Sequence, residues 1–377
     1  MTAVSRYLLV AGIVALLLNA LLLYRNTYDA KNQVISAGSG AGVANFWSQR
    51  PRGAFYALVR NRELGALLES MRDVESTFNN RADTRYPYVF LNDEPFTDRF
   101  MRYVRAATKA DIHFGLVPAE EWDVPSSFNM TKAKEEWEKL AQQNVLYARS
   151  KSYRQMCRYQ SGFFMNHELL RNFDYAWRIE PGVSYFCKMS DEDPFRVMRD
   201  GKKKYGWAIS LREDPRTVPS LYKTALQFRK EYPQYARNTS MLPFSVRKFN
   251  QGYNMCHFEI TDLNWLRSEE YQAYFQYLSK TNGFFSERWG DAPVRSLAVS
   301  LFLEKDEVHY FNEIGYRHPP IQHCPIAKPG KCACVPDDSL SEEYSPSRLN
   351  CLFKWEQIHG KDPDMEYERL RVLALET

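Results

Sequence analysis

Short apolar runs that alternate with amphipathic segments constrain the fold of this chain more than any other feature. Residues 54–59 have the composition of a buried strand, and residues 88–91 and 112–117 are predicted to be two further strands. Between the first two, the apolar positions from Leu64 to Val74 fall on one face of a helix. Strands that alternate with helices at this interval form parallel sheets, because a parallel connection needs a crossover. The sequence therefore predicts an α/β fold with a mostly parallel central sheet.

An apolar run near the N-terminus, residues 7–24, predicts a transmembrane signal anchor. As a helix it would span roughly 27 Å at about 1.5 Å per residue, close to the thickness of a thin bilayer. A cleaved signal peptide is the alternative, but bulky residues at 21–24 stand where small ones precede a cleavage site. The predicted organisation is a cytoplasmic tail at 1–6, the anchor, a flexible Gly- and Ser-rich stem at 25–50 and a lumenal domain at 51–377.

Cysteine usage indicates an oxidising compartment. The chain has seven cysteines, of which Cys324, Cys332, Cys334 and Cys351 crowd a C-terminal extension with little periodic structure. Such a region is typical of loops stapled by disulfides. Zinc is the alternative, although the spacer between Cys332 and Cys334 is shorter than the usual one. Because seven is odd, one thiol is left free or pairs between chains.

The remaining composition favours a lumenal protein with no nucleic-acid partner. Residues 129–131 and 238–240 are N-glycosylation sequons, which are used only in the secretory pathway. The net charge is +4, and no extended basic stripe is interleaved with aromatic residues. The basic triplet at 202–204 is interpreted as a solvated turn after Gly201.

A carboxylate stands at the end of one predicted strand. Tyr175, Trp177 and Ile179 alternate as in a strand, Glu180 follows, and Pro181 stops further pairing. Ligands of open α/β sheets bind beyond the carboxyl ends of the strands. Glu180 is therefore a candidate site residue, with a solvated turn carboxylate as the alternative.

Several dense aromatic and polar segments carry a resemblance to a known family. They read S-Y-R-Q-M-C-R-Y at 152–159, W-R-I-E-P-G-V-S-Y-F-C at 177–187, C-H-F-E-I at 256–260, R-W-G-D-A-P at 288–293 and I-G-Y-R-H-P at 314–319. In this order they resemble the fungal α-1,2-mannosyltransferases of the Kre2/Mnt1 type, the glycolipid 2-α-mannosyltransferases. The resemblance covers nearly all of the lumenal part, from Phe55 to about Trp355, and the W-R-x-E-P and R-W-G-D-A-P runs are specific.

The resemblance implies a type II Golgi membrane protein whose lumenal domain is catalytic and has a GT-A-like nucleotide-sugar-binding fold. It also implies a GDP-mannose donor, a manganese ion and retention of anomeric configuration. The implied acceptor is a mannose-terminated glycan on a protein or a lipid.

By the resemblance, Glu180 and His318 are the predicted metal ligands. A carboxylate oxygen and an imidazole suit Mn²⁺, and a divalent cation can neutralise a departing diphosphate. Residues 191–193 have the Asp-x-Asp form and are the alternative metal motif. An exposed loop histidine is the alternative interpretation of His318.

Three residues are predicted to act in catalysis. The resemblance assigns Glu259 as nucleophile or electrostatic stabiliser of the transition state and places Tyr153 near the donor phosphates, where a phenol can donate a hydrogen bond. Their alternatives are a cap of the helix that begins near Asp262 and a core aromatic. Asp291, before a predicted helix, is expected to bind acceptor hydroxyls, to serve as base, or to cap the helix.

Three further residues are predicted to bind the donor. Arg60 and Asn61 follow the first strand, where folds of the implied type meet the nucleotide. Arg158 could pair with the diphosphate in a bidentate manner, or could form an internal salt bridge instead.

One segment departs from the family pattern. The family usually reads C-H-F-W-S-N-F-E-I where this chain has C-H-F-E-I at 256–260. The shorter connection raises the alternative of a catalytically weak or silent glycan-binding relative. A lumenal glycosidase that uses Glu180 and Glu259 is a further alternative, and it would need no metal.

Overall fold

The structure, a computed structural model, describes residues 50–126, 128–190, 192–235, 237–245, 253–256, 258–325, 330–335 and 351–360. The predicted tail, anchor and stem lie outside these residues, apart from the last position of the stem. Within the described ranges, no helix has the length and apolarity that crossing a bilayer requires.

The strands and helices follow one another along the chain in α/β fashion. The strands are β1 Gly53–Leu58, β2 Tyr88–Asn92, β3 Ile112–Leu116, β4 Tyr175–Arg178, β5 Ser184–Tyr185, β6 Tyr205–Trp207, β7 Ile209–Arg212, β8 Tyr253–Cys256, β9 Glu259–Asp262, β10 Val308–Tyr310, β11 Tyr316–His318 and β12 Ile321–His323. The helices are α1 Leu64–Val74, α2 Asp98–Ala106, α3 Ala119–Trp122, α4 Met130–Gln142, α5 Lys151–Gly162, α6 Pro194–Asp200, α7 Leu221–Glu231, α8 Leu242–Ser245, α9 Leu263–Leu266, α10 Glu269–Lys280, α11 Gly283–Ser286, α12 Asp291–Phe302 and α13 Leu352–Ile358.

The central sheet is mixed. Its strand order is β10-β6-β9-β4-β1-β2-β3. The β1–β2, β2–β3, β1–β4 and β6–β10 pairs are parallel, as the alternation of strands and helices predicts. Strand β9 runs antiparallel to both β4 and β6, which the sequence analysis does not anticipate. The expected α/β fold is confirmed, with the antiparallel strand β9 beside the central strand β4.

The sheet is covered on both faces at β1 and β2, which explains why these two strands are buried along almost their whole length. Alternate residues of β1 enter different cores: Ala54 and Tyr56 belong to one buried cluster, whereas Phe55 and Ala57 belong to the other. Successive side chains of a strand point to opposite faces. A strand of this kind can therefore be buried along its whole length only between two packed layers.

Two small antiparallel sheets flank the central one. Strand β11 pairs with β12 and with β5, and Arg317 lies opposite Ser184 in that register. Because β5 follows β4 after a short turn, this pairing draws the segment that carries His318 towards the end of β4. The other small sheet joins β7 to β8.

Two disulfides staple the C-terminal extension. Cys187 pairs with Cys332, and Cys324 pairs with Cys334. The disulfide prediction is therefore confirmed for these residues, and the zinc interpretation is wrong for Cys332 and Cys334. Cys157 is a buried free thiol in α5.

We expect the two disulfides to contribute unequally to stability. They close segments of very different sequence separation, 145 residues for Cys187–Cys332 and 10 for Cys324–Cys334. Loop-closure entropy then makes replacement of the first pair by serine costlier by about 2 kcal/mol in the free energy of unfolding. Denaturant titration of the two double variants measures the difference, and equal losses would contradict this account.

Candidate active site

Arg178 binds carboxylates from three parts of the chain. It is the last residue of β4, and its guanidinium forms close ion pairs with Glu180 and Asp291. Its Nη1 also lies 3.8 Å from Glu259 Oε2. Burial disfavours the charge, but Asp291, Glu180 and Glu259 outweigh it and hold the pKa of Arg178 well above its usual value. Arg178 is therefore a permanent cation shared by three acids.

Glu259 lies opposite Arg178 in the sheet, since the β4–β9 register pairs the two residues. Its Oε1 accepts a hydrogen bond from Thr261 Oγ1 at 2.7 Å and lies 3.1 Å from Arg295 Nε. Glu259 is thus held in place by the sheet register and by Thr261 and Arg295. Glu259 does not cap the following helix, because Asp262 does so by accepting from the Asn264 backbone N–H.

Helix α12 contributes one acidic and one cationic side chain to the same cluster. Asp291 and Arg295 are four residues apart and share a helix face. Asp291 forms an ion pair with Arg178, and Arg295 forms one with Glu259. Carboxylates and guanidinium groups from β4, β9 and α12 therefore meet in one cluster. The helix cap is Gly290, and Asp291 is the first helical residue. The capping interpretation of Asp291 is therefore wrong.

The structure brings Glu180 and His318 together. His318 Nε2 lies 3.2 Å from Glu180 Oε2, although the two residues are 138 positions apart. Burial lowers the pKa of His318, but the hydrogen bond and the charge of Glu180 more than offset it, so the net pKa is raised. Both side chains are about one-third exposed at 31%. They are therefore reachable from solvent while still facing each other.

The donor set and the charge of this cluster fit a divalent cation. The three carboxylates, Glu180, Glu259 and Asp291, outnumber the guanidinium groups of Arg178 and Arg295 by one. One carboxylate with one imidazole suits Mn²⁺. Across the described part of the chain no group of three or more His, Cys, Asp or Glu residues could hold a metal.

The alternative Asp-x-Asp motif has a structural explanation. Asp193 caps α6 through the Phe195 N–H and accepts a hydrogen bond of 2.6 Å from Tyr86 Oη. Asp191 lies outside the described residues. Asp193 is thus part of the fold's internal bonding, which argues against residues 191–193 as the metal motif.

Tyr153 stands beside the start of α12. Its ring contacts the ring of Tyr147, 4.6 Å away, and the guanidinium of Arg288, 5.2 Å away. A Cβ placed on Gly290 would lie 4.0 Å from Tyr153 Oη. Burial and the neighbouring Cys157 raise the pKa of Tyr153 well above its usual value. The phenol therefore keeps its proton at neutral pH and can donate a hydrogen bond.

Arg60 and Asn61 follow the carboxyl end of β1. Because β1 and β4 are parallel, these two residues lie at the same end of the sheet as Glu180, which follows β4. Arg60 Nε is 3.9 Å from Asp93 Oδ1 beyond the end of β2. Asn61 Nδ2 donates to Glu94 Oε1 at 3.1 Å. These contacts link the segments that follow β1 and β2, beyond the carboxyl ends of the strands, where ligands of such sheets bind.

Arg158 lies elsewhere. It is buried, its Nη1 donates to the Glu121 carbonyl at 2.9 Å, and its Nε donates to Ser279 Oγ at 3.3 Å. Five residues along a helix turn the side chain by about 140°, so Arg158 and Tyr153 face different directions from α5. The structure thus gives Arg158 a packing role against α3 and α10, in place of the expected donor contact.

The two arginines of the cluster, Arg178 and Arg295, are not among the predicted site residues. Arg178 could have been found, because it precedes Glu180 by two positions and alternate strand residues share a face. Arg295 had a weaker signal: it is the one charged residue between Asp291 and Phe302 in an otherwise apolar helix.

The chain is similar to one protein family over most of its length. The sequence model described as glycolipid 2-alpha-mannosyltransferase matches residues 25–360. The O-glycoside alpha-1,2-mannosyltransferase omh1 of Schizosaccharomyces pombe is 44% identical over 299 residues, which are 78% of this chain and 76% of that protein. The glycolipid 2-alpha-mannosyltransferase of Saccharomyces cerevisiae is 44% identical over 283 residues, 74% of this chain and 63% of that protein.

Solved structures show the same similarity. Core-mannan synthase A (CmsA/Ktr4) of Aspergillus fumigatus, in its Mn/GDP form, is 37% identical with a TM-score of 0.77, covering 83% of this chain and 86% of that one. The mannosyltransferase Ktr4p of S. cerevisiae in complex with GDP is 35% identical with a TM-score of 0.76, covering 85% and 84%.

We expect Arg178→Met to destabilise the protein by about 3–5 kcal/mol, because it leaves three neighbouring carboxylates without their shared cation. Denaturant unfolding measures the loss. Arg52→Met is the control: Arg52 pairs with Asp174 at the surface, its side chain is 68% exposed, and its loss should cost about 1 kcal/mol or less. Similar losses for the two variants would contradict the interpretation.

Proposed function

Since this chain belongs to the glycolipid 2-alpha-mannosyltransferase family, we propose that it transfers mannose from GDP-mannose to the 2-hydroxyl of a mannose-terminated glycan. Its enzyme class, α-1,2-mannosyltransferase, follows from the family. The proposed acceptor is carried by a glycoprotein or a glycolipid, and the transfer retains the anomeric configuration. The observation that carries the proposal is the contact between Glu180 and His318 beside Arg178.

We propose that Glu180 and His318 hold a manganese ion beneath the donor diphosphate. The similar core-mannan synthase A was solved in an Mn/GDP form, which supports this cofactor. When bound, the ion supplies Lewis-acid neutralisation of the departing diphosphate charge. Arg178 orients the Glu180 carboxylate through their ion pair.

Glu259 is proposed to face the anomeric carbon. The guanidinium groups of Arg178 and Arg295 both lie beside its carboxyl group. A carboxylate there can stabilise an oxocarbenium-like transition state by charge, or it can attack the sugar as a nucleophile. Retention is compatible with both the double-displacement route and a front-face route.

Tyr153 and Asp291 are proposed to act on the oxygens around the reacting carbon. Burial keeps Tyr153 protonated, so its hydroxyl can donate to a phosphate or sugar oxygen. Asp291, held by Arg178 at the start of α12, offers a carboxylate to an acceptor hydroxyl. Arg60 and Asn61 are placed to meet the nucleotide at the end of β1.

The finer architecture and the cellular site are also proposals. The mixed sheet, with the candidate site residues at the carboxyl ends of β1 and β4, is compatible with the GT-A-like nucleotide-sugar-binding fold. The apolar run at 7–24 and the two disulfides suit a type II Golgi membrane protein whose catalytic domain is lumenal.

Family membership favours transfer over the glycosidase alternative. The silent-relative alternative rested on the short connection before Glu259. The register that pairs Glu259 with Arg178 supports an active enzyme over this alternative.

The activity is tested with the full chain, GDP-mannose, manganese and methyl α-mannoside. We expect an α-1,2-linked product that disappears with chelator and falls by more than ~100-fold in Glu180→Ala and His318→Ala, since loss of a metal ligand should exceed the effect of a supporting residue. Asp193→Ser, which preserves a helix cap, is the control and should stay active. Metal-independent transfer, or loss of activity only in the Asp193 variant, would refute the ligand assignment.

The topology is tested by protease protection of intact membrane vesicles from cells that express the chain with a C-terminal epitope. A lumenal domain predicts an epitope that survives protease until detergent opens the vesicles. Digestion of the epitope in sealed vesicles would exclude the proposed orientation.

A further inference from the structure

Arg295 is an unusual residue for its position. It lies in α12, where every residue from Pro293 to Phe302 is buried, and only 2% of Arg295 itself is exposed. Burying a guanidinium costs several kcal/mol unless its charge and its N–H groups find partners. The identity of those partners therefore indicates what Arg295 does.

Two partners of Arg295 belong to the surrounding helices. Nη1 donates to Tyr271 Oη at 2.6 Å, and Nη2 donates to the Gln160 carbonyl at 2.8 Å. Tyr271 Oη in turn donates to the Ser161 carbonyl at 2.7 Å. The outer end of the guanidinium is thus fixed by α5 and α10.

The third partner is the carboxylate of Glu259, with which Arg295 forms an ion pair whose shortest distance is to Oε1. Arg295 Nε lies 3.1 Å from Oε1, and Thr261 Oγ1 donates to the same oxygen at 2.7 Å. The other oxygen, Oε2, faces Arg178 at 3.8 Å. Oε1 is therefore anchored from the protein interior, whereas Oε2 is directed towards the Arg178 cluster.

We propose that Arg295 is a positioning residue: it fixes Oε1 of Glu259 so that Oε2 is presented to the reacting sugar. The inference rests on the proposed role of Glu259. Arg295 touches neither donor nor acceptor in this account. It acts through the rotamer and the charge of Glu259, and a carboxylate misplaced by about 1 Å can cost ~100-fold in rate.

The primary test is the steady-state kinetics of Arg295→Met in the full-length enzyme. We expect kcat to fall by ~10–100-fold, with the KM values for GDP-mannose and methyl α-mannoside changed by less than ~3-fold, because binding does not use Oε2. Arg295→Lys keeps the positive charge and should recover part of kcat.

A matched control separates positioning from general stability. Arg267 is another guanidinium held inside the fold, and it donates to the carbonyls of Met165, Leu170 and Phe173. Arg267→Met should lower the melting temperature as Arg295→Met does, yet leave kcat unchanged. If the two variants lose kcat in proportion to stability, the positioning role is wrong.

A double-mutant cycle tests whether Arg295 acts through Glu259. In a Glu259→Gln background, the oxygen that Arg295 holds no longer belongs to a carboxylate, so Arg295→Met should have little further effect on kcat. Independent, multiplicative losses would overturn the proposal. Full activity of Glu259→Gln alone would instead overturn the proposed role of Glu259, and absence of transfer by the unmodified enzyme would overturn the proposed function, so these failures are distinguishable.

Thr261→Val keeps the test decisive if Arg295→Met does not fold. This change is nearly isosteric and removes the hydrogen bond that Thr261 Oγ1 donates to Oε1. We expect a smaller fall in kcat, of a few-fold, again without a change in KM. Full kcat in both Thr261→Val and Arg295→Lys would contradict the anchoring of Oε1.

Discussion

The sharing of one buried guanidinium among three carboxylates is the interaction on which the site depends. Without Arg178, the carboxylates of Glu180, Glu259 and Asp291 would repel one another inside the fold. With it, they converge, and a second arginine, Arg295, supports Glu259 from within. The three carboxylates outnumber the two arginines by one, and the proposed cation would bind on the Glu180–His318 side of the cluster.

The topology explains how residues far apart in sequence reach this point. Strand β4 carries Arg178 and leads directly to Glu180, while its antiparallel neighbour β9 brings Glu259 into register. Strand β11 then returns His318 through its pairing with β5. The antiparallel strand is thus a functional part of the sheet, because a parallel neighbour would direct its N-terminal residue to the opposite edge.

The sequence predicted what depends on local pattern and on family motifs, and less of what depends on packing. Periodicity predicted the parallel strands, and the motifs identified Glu180 and His318, which the structure brings to 3.2 Å. The antiparallel pairing of β9 escaped prediction because no local signal records which neighbour a short strand chooses. Arg158 was predicted to bind the donor, but its place in a helix does not reveal which neighbouring elements its side chain packs against. Arg295 was missed because a lone charge in an apolar helix has meaning only once its partners are known.

The central claim is that Glu180 and His318 form one metal site beside the Arg178 cluster. A crystal structure of the chain with manganese and GDP tests it most directly, with the metal located in an anomalous difference map. The account predicts one manganese peak within bonding distance of a Glu180 oxygen and a His318 nitrogen, with nucleotide phosphate oxygens completing the coordination. A manganese ion bound by other side chains would contradict it, if Glu180 kept its contacts with Arg178 and His318 and neither Glu180 nor His318 contacted the metal.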